Sequence, residues 1–236
     1  MGNCSSEPSS LRLEVRDRAW KGEFRPEQEW PLARTQYTKK YLDITQGRLI
    51  DQNSSSISVT TYNSQVTDDD VRFQYRFSED TELTGNMRLR LWVAADQGED
   101  MDLFVQLDKL DKDGKITPFV AFSMVDDGPL GLGWLRVSHR ELDIAKTTID
   151  RPYHIHARKL LLRPNEIVPV DIEILPTSTL LRPGETLQVR IQGNDSFRHK
   201  TPDVVQFHEN SVNKGKHFVY SGSNFESYLV LPIIES

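Results

Sequence analysis

Cysteine is almost absent from the sequence. Its 236 residues include one cysteine, Cys4, so an intrachain disulfide framework is excluded and the chain is compatible with a reducing compartment. Long apolar runs are lacking too. None approaches the roughly 20 residues of a membrane-spanning helix, and the first thirty residues lack the apolar segment of a secretory signal peptide. We therefore expect a cytoplasmic protein.

A concentrated positive charge is also lacking. The 29 lysines and arginines are spread along the chain and are outnumbered by 35 acidic residues, for a net charge of -6. A nucleic-acid-binding protein needs a concentrated basic face. We expect no nucleic-acid partner.

The signatures of nucleophilic hydrolysis are missing. The sequence contains no G-x-S-x-G motif, which holds the nucleophile in α/β-hydrolases. Ser138, His139 and Asp143 are close in sequence, but neighbours on a strand point to opposite faces, so Ser138 could not pass a proton directly to His139. Cys4 lies in a polar segment without a fixed partner. We predict no catalytic residue in this chain.

Alternating β-strand patterns fill most of the sequence instead. In VRFQYRF, the apolar residues Val71, Phe73, Tyr75 and Phe77 alternate with polar ones, the period of a half-buried strand. MRLRLWVAAD, MDLFVQLDKL and VPVDIEIL repeat the pattern, and no convincing helical periodicity interrupts it. Short strands at roughly ten-residue spacing predict one all-β domain, a sandwich or jelly roll, over residues 37–236.

The beginning of the chain divides into two parts. Residues 1–10 are polar, and we expect them to be disordered. Gly2 and Cys4 are candidate lipidation sites for myristate and palmitate, so membrane association is expected only if the chain is acylated. Residues 11–36 predict an extended arm, because prolines exclude a continuous helix. Its tryptophans, Trp20 and Trp30, suggest that the arm lies against a surface.

The candidate binding residues lie between the strand patterns, in GWLRVSHRELD and RPYHIH. A mixture of arginine and aromatic side chains favours a protein interface or a sugar-binding face. An ordinary ion-pair network with Glu141, Asp143 and Asp150 is an open alternative. The candidate interface residues are Trp134, Arg136, His139, Arg140, Arg151, Tyr153, His154 and His156.

The histidines also raise the question of a metal. The H-x-H spacing would place His154 and His156 on one side of a strand, with His139 or Glu141 as a third ligand, and zinc sites use such sets. The same spacing is common in plain surface histidines. We predict no metal and no cofactor. An independent metal-dependent enzyme is kept as an alternative hypothesis.

Several ordered blocks resemble one family. They are LRLEVRDR, EWPLARTQYTKKYLD, LTGNMRLRLWVAAD, MDLFVQLDKLDKDG, GWLRVSHRELD, RPYHIH, VPVDIEILPTSTLLRPGETLQVRIQGND and YLVLPII. They resemble the C-terminal domain of X-Pro dipeptidyl-peptidase and cocaine-esterase-like (CocE/NonD) serine hydrolases. The resemblance implies a jelly-roll β-sandwich, similar to galactose-binding domains, joined to an α/β-hydrolase domain that holds the catalytic triad. No triad residue can therefore be assigned to this chain.

The resemblance also implies a role and a partner. In such enzymes, which hydrolyse acyl esters, amides or X-Pro peptides, the sandwich packs on the hydrolase domain and shapes its substrate pocket. The expected partner is thus an α/β-hydrolase catalytic domain, in cis or in trans, and an isolated sandwich is expected to self-associate. The alternative is a stand-alone module that binds carbohydrate or protein, lipid-anchored through Gly2 and Cys4.

Overall fold

The structure is a computed structural model that describes residues 11–121, 124–197 and 208–235. These residues form fourteen strands and a short 3-10 helix, Val137–His139. The strands are β1 (Leu11–Arg18), β2 (Lys21–Glu27), β3 (Thr35–Asp43), β4 (Arg48–Ile50), β5 (Ser58–Asn63), β6 (Asp70–Arg76), β7 (Thr81–Ala95), β8 (Asp102–Leu110), β9 (Ile116–Thr117), β10 (Gly131–Arg136), β11 (Val168–Leu181), β12 (Thr186–Gln192), β13 (Lys216–Ser221) and β14 (Tyr228–Ile234). In the described part of the chain, no helix has the length and hydrophobicity to cross a membrane. The candidate lipidation residues Gly2 and Cys4 are outside the described residues.

The strands form two facing layers, which confirms the predicted all-β sandwich. In one layer, β7 pairs with β11, β14 and β13, β14 with β3, and β13 with β5. In the other, β8 lies between β10 and β12, and β12 pairs with β6. The layers join where β10 pairs with β11 at Gly133 and Ile174, and where β4 meets β6 at Arg48 and Gln74. The finer prediction of a jelly roll stays a prediction.

The core lies between the layers and follows the alternation in the sequence. Leu89 and Leu91 of β7 belong to the same buried cluster as Leu103 and Val105 of β8 and Val189 of β12. Side chains at alternate positions of a strand share one face. In β6 most side chains of the opposite set are exposed, whereas both faces of β8 are buried.

The segment predicted to be an extended arm contains a hairpin of β1 and β2. The hairpin joins the sheet because β1 runs parallel to β11, with Arg16 opposite Thr179. The hydroxyl of Thr179 donates to the carbonyl of Arg16 at 2.8 Å. The hairpin therefore extends the sheet beside β11, and the side chains of Trp20 and Trp30, on which the expectation of a covered arm rested, are exposed.

Candidate functional site

The candidate site is an open groove of about 1140 Å³ beside β8, β10 and β11. Both apolar and ionisable side chains line it. The lining residues are Asp102, Leu103, Phe104, Leu132, Trp134, Leu135, Arg136, His139, His154, His156, Glu173, Leu175, His208, Glu209, Asn210 and Ser211. Five of the eight residues that the sequence analysis selected are among them.

Strand β10 places Trp134 in the groove. Its alternation turns Leu135 towards the core and leaves Trp134 48% exposed. The strand can approach β11 closely because position 133 is glycine. A Cβ atom at Gly133 would lie 2.4 Å from the carbonyl oxygen of Glu173, well inside van der Waals contact. The missing side chain at Gly133 therefore allows the pairing that presents Trp134.

Asp102 connects β10 to the opposite wall of the groove. Its carboxylate accepts hydrogen bonds from Arg136 at 2.8 and 3.0 Å and from the backbone N–H of Val212 at 2.9 Å. Arg136 also donates to the carbonyl of Asn210 at 2.7 Å. The bonds with Asp102 raise the pKa of the Arg136 guanidinium. Arg136 therefore holds the wall in place, and its charge is already balanced.

An aromatic row crosses the groove. The ring of His208 lies 5.3 Å from that of Phe104 and 5.5 Å from that of Trp134, measured between centroids. The Nδ1 atom of His208 is 2.9 Å from a carboxylate oxygen of Asp195. The ring planes are inclined to each other by 66° and 52°, so the row is an edge-to-face cluster against which a ligand ring or a partner side chain can pack.

The three histidines of the central stretch meet in space. The Nδ1 atoms of His139 and His156 are 3.3 Å apart, and the rings of His154 and His156 are 5.8 Å apart between centroids. Burial is the main cause that lowers the pKa of His154, so this imidazole favours its neutral form. In the described ranges, no group of three or more His, Cys, Asp or Glu residues is arranged to hold a metal ion.

The local backbone at Ser138 differs from the prediction. The pair Ser138 and His139 belongs to the 3-10 helix Val137–His139, not to a strand, because the chain turns there at the end of β10. Ser138 is fully buried, and its backbone N–H donates to the side chain of Asp100 at 2.8 Å. A substrate cannot reach this hydroxyl, so it is no candidate nucleophile.

Arg140 lies behind the groove and stabilises its loop. Its guanidinium donates to the carbonyl oxygens of Val137 and Leu160. Burial is the main cause that lowers its pKa. Arg140 therefore has a structural role in holding the two segments that carry the histidines.

Arg151 and Tyr153 lie outside the groove lining. Arg151 forms an exposed ion pair with Glu173 at 3.0 Å. The ring of Tyr153 is exposed, and the Nζ atom of Lys146 lies 4.7 Å from its centroid. Arg151 thus pairs with an acid of a distant strand, as Arg136 does.

Among the described residues, the acids of the alternative ion-pair network have partners other than the predicted arginines. Glu141 pairs with Arg158 and Asp143 pairs with Lys146. Asp150 accepts hydrogen bonds from one tyrosine and one threonine hydroxyl. Glu141 and Asp143 therefore pair with neighbouring basic residues, whereas the predicted arginines bind acids of other strands or backbone carbonyls.

Sequence reasoning missed several residues of the groove. Asp102 and Phe104 alternate with core residues of β8, so the period of two could have placed them on the outer face. His208 and Asn210 lie in a separate part of the chain with no strand pattern. Nothing in the sequence indicates that they approach Trp134.

A family profile resolves the affiliation of the chain. The profile described as the X-Pro dipeptidyl-peptidase C-terminal non-catalytic domain matches residues 5–230. The chain belongs to this family. A search of curated proteins found no match.

Solved structures agree with membership of this C-terminal domain family. Two crystal structures of a CocE/NonD family hydrolase from Staphylococcus aureus are similar to the chain. One is 43% identical with a TM-score of 0.92, and the match covers 95% of this chain and 41% of the hydrolase chain. The other is 42% identical with a TM-score of 0.94, and the match covers 99% of this chain and 43% of the hydrolase chain. The predicted resemblance to the CocE/NonD hydrolases is thus confirmed.

More distant structures share only the fold. An aminopeptidase from a marine sediment Thaumarchaeota archaeon is 14% identical with a TM-score of 0.64, over 94% of this chain and 40% of that one. An α-amino acid ester hydrolase is 14% identical with a TM-score of 0.59, over 97% of this chain and 41% of that one. The chain thus spans about two fifths of the length of the structures that it matches.

Proposed function

We propose that this domain packs through its groove face against the α/β-hydrolase catalytic domain of a CocE/NonD-type enzyme and forms one wall of the substrate pocket. The single observation that carries the proposal is the groove itself, with Trp134 exposed in its lining. The family to which the chain belongs is described as non-catalytic, and the S. aureus hydrolase to which it is similar is more than twice as long.

The composition of the groove face supports an interface. Trp134 and Leu175 in the groove lining are 48% and 39% exposed, and Tyr153, outside the lining, is 47% exposed. Tryptophan and tyrosine are enriched where protein interfaces lose water completely. The arginines beside them are already paired, Arg136 with an acid of β8 and Arg151 with an acid of β11. Covering this face therefore buries apolar area at a small electrostatic cost.

In this proposal, the two domains have different chemical roles. The catalytic domain would supply the nucleophile, base and oxyanion donors for hydrolysis of an acyl ester, amide or X-Pro peptide. This domain would supply a rigid wall that excludes water and restricts which acyl group fits. The network of Asp102, Arg136 and Asn210 keeps that wall in one geometry, which is what positioning a substrate requires.

The first experiment determines the mass of the native polypeptide in its own cells, with an antibody against this domain. A band much heavier than the isolated domain supports a catalytic domain in cis. A band at the domain mass calls for affinity purification and identification of a co-purifying hydrolase, which would be the partner in trans. A band at the domain mass without any hydrolase would overturn the proposal.

A second experiment tests the pocket wall in the assembly so identified. Trp134→Ala is expected to lower kcat/KM for p-nitrophenyl acyl esters about tenfold or more, because the pocket loses an aromatic side chain that positions the substrate. Trp20→Ala is the matched control, since it removes an exposed tryptophan on the hairpin turn, away from the groove. Equal kinetics for both variants would show that the groove does not face the substrate.

The aromatic row supports a second candidate, a stand-alone module that binds carbohydrate. Sugar rings stack on the faces of aromatic side chains, and the exposed ring of Trp134 lies beside those of His208 and Phe104 in an open groove. A glycan array probed with the chain and with its Trp134→Ala variant tests this idea. Binding that Trp134→Ala abolishes would favour the module, and an empty array would eliminate it.

Three further features belong to these proposals. A cytoplasmic location and self-association of the isolated domain are proposed from composition and from the exposed groove face. Membrane attachment is proposed only for a chain that carries lipids on Gly2 and Cys4. Metabolic labelling with an alkynyl myristate, with Gly2→Ala as the control, tests the attachment directly.

A further inference from the structure

The contact between His139 and His156 has the geometry of a metal chelate. Their Nδ1 atoms are 3.3 Å apart. Two imidazole nitrogens bound to one tetrahedral zinc ion at about 2.0–2.1 Å lie about 3.3–3.4 Å from each other. A neutral imidazole pair that shares one hydrogen bond would also place nitrogens at this distance, so the surroundings must distinguish the two arrangements.

The backbone holds the two histidines together before any ion binds. Two backbone hydrogen bonds join the segment that carries His139 to the segment that carries His156. The N–H of Ile155 donates to the carbonyl of Glu141 at 3.0 Å, and that of Leu160 donates to the carbonyl of Ser138 at 2.8 Å. A preformed pair avoids the entropic cost of bringing two flexible side chains together.

The two arginines near the histidine pair in the sequence have partners other than the histidines. Arg158 is bound to Glu141, and Arg140 is bound to backbone carbonyls, so both neighbouring guanidinium groups are engaged. The hydrogen bonds of these two guanidinium groups are therefore made to Glu141 and to backbone carbonyls, and not to the imidazoles of His139 and His156.

The pair is also accessible. Both histidines line the open groove, and His156 is exposed. Its φ of 54° is a left-handed conformation, which residues other than glycine adopt infrequently and which often occurs at functional sites. An ion held here would keep its remaining coordination positions open to water or to a ligand in the groove.

We propose that His139 and His156 form a two-imidazole site for a borderline transition-metal ion, such as Zn²⁺, Ni²⁺ or Cu²⁺. Imidazole nitrogen suits these ions. Two protein ligands leave the other positions to water, since in the described ranges no third His, Cys, Asp or Glu completes a metal-binding group with them. The proposal does not depend on the proposed partner domain, since both ligands come from this chain.

The test is a calorimetric titration of the full chain with Zn²⁺. The chain carries Cys4→Ser, because a thiol could bind the same ions. We expect one equivalent to bind, and His139→Gln and His156→Asn each to weaken that binding about tenfold or more, because each removes one of two imidazole ligands. Asn is chosen at position 156 because it tolerates a positive φ. His208→Gln is the matched control and should bind like the parent.

A second readout identifies the ligands and guards against misfolding. With one equivalent of Cu²⁺, the parent should show electron paramagnetic resonance couplings from two nitrogen ligands, and each histidine variant should lose one of them. Circular dichroism of the metal-free variants checks that they fold. No saturable binding, or equal binding by the parent and a correctly folded His156→Asn variant, would reduce the contact to a hydrogen bond between imidazoles.

Discussion

The hydroxyl of Tyr62 lies 3.1 Å from the Nδ1 atom of His217, and both side chains are buried where β5 pairs with β13. Burial, the main cause, lowers the pKa of His217 to about 4, although the charges of Asp102 and Asp96 act in the opposite direction. The imidazole is therefore neutral in the folded protein at neutral pH.

This buried histidine predicts a loss of stability in mild acid. Between pH 6.5, the ordinary histidine pKa, and about pH 4, the unfolded chain binds a proton that the folded chain does not. The free energy of unfolding therefore falls as the pH falls through this window, by roughly 3 kcal/mol from this group. Above the window, its contribution is constant.

Urea unfolding at about pH 7.5 and about pH 4, on either side of the window in which the imidazole titrates, measures this effect. Carboxylates also titrate in this range, so the comparison is with His217→Gln, which cannot take up the proton. The variant should be less stable in the neutral buffer but should lose less stability on acidification. If both proteins lose the same amount, His217 is not the group responsible.

Asp102→Ala should loosen the far wall of the groove. The substitution leaves Arg136 without its carboxylate and the N–H of Val212 without its acceptor. Since Asp102 is buried, we expect a loss of about 2–4 kcal/mol in the free energy of unfolding. Hydrogen exchange of the Val212 amide should also accelerate.

Arg151→Gln is the control for the Asp102 variant. Its ion pair with Glu173 is exposed on both sides, and such pairs contribute at most about 1 kcal/mol. Equal destabilisation by the two substitutions would contradict the assignment of Asp102 as the residue that connects β10 to the wall.

Gly133→Ala should disrupt the pairing of β10 with β11. The new Cβ atom would lie 2.4 Å from the backbone oxygen of Glu173, which cannot move independently of its strand. Overpacking of this kind costs about 1–3 kcal/mol. Gly131→Ala on the same strand should cost less, because its nearest contact is a side-chain carbon of Ile174 at 3.2 Å. Thermal unfolding of both variants provides the comparison, and the reverse order would contradict it.

The isolated domain should self-associate through the groove face. Sedimentation velocity at increasing protein concentration should detect the association, and Trp134→Glu should weaken it because a charge replaces the exposed ring. Trp20→Glu changes an exposed tryptophan outside the groove and should have little effect. Association that only Trp20→Glu abolishes would place the contact on the hairpin instead.

Much of the fold could be predicted because a β-strand with one buried face shows alternating apolar and polar residues in the sequence. The alternation in VRFQYRF corresponds to β6 with Val71 and Phe73 buried, and that in MDLFVQLDKL corresponds to β8. The pattern failed at Ser138, where a run of strand-like residues ends in a 3-10 helix. Alternation records which side of a strand is buried, but the end of a strand depends on the neighbours available for pairing.

The candidate site was predictable only in part. The sequence indicates the region around Trp134 and the histidines, since polar and aromatic residues interrupt the strand patterns there. It does not indicate that His208 packs beside Trp134 or that Asp102 binds Arg136. These contacts join positions far apart in the chain, and their formation depends on register and topology.

The sequence by itself determined the fold class, the family blocks and the region of the site, because periodicity and residue order are properties of the chain alone. Only the tertiary structure decided that Arg140 stabilises a loop, that Arg136 is engaged by Asp102, and that His139 meets His156. Most of these contacts join residues that are distant in the sequence. They form only when the two layers pack in one register, which the residue order does not specify.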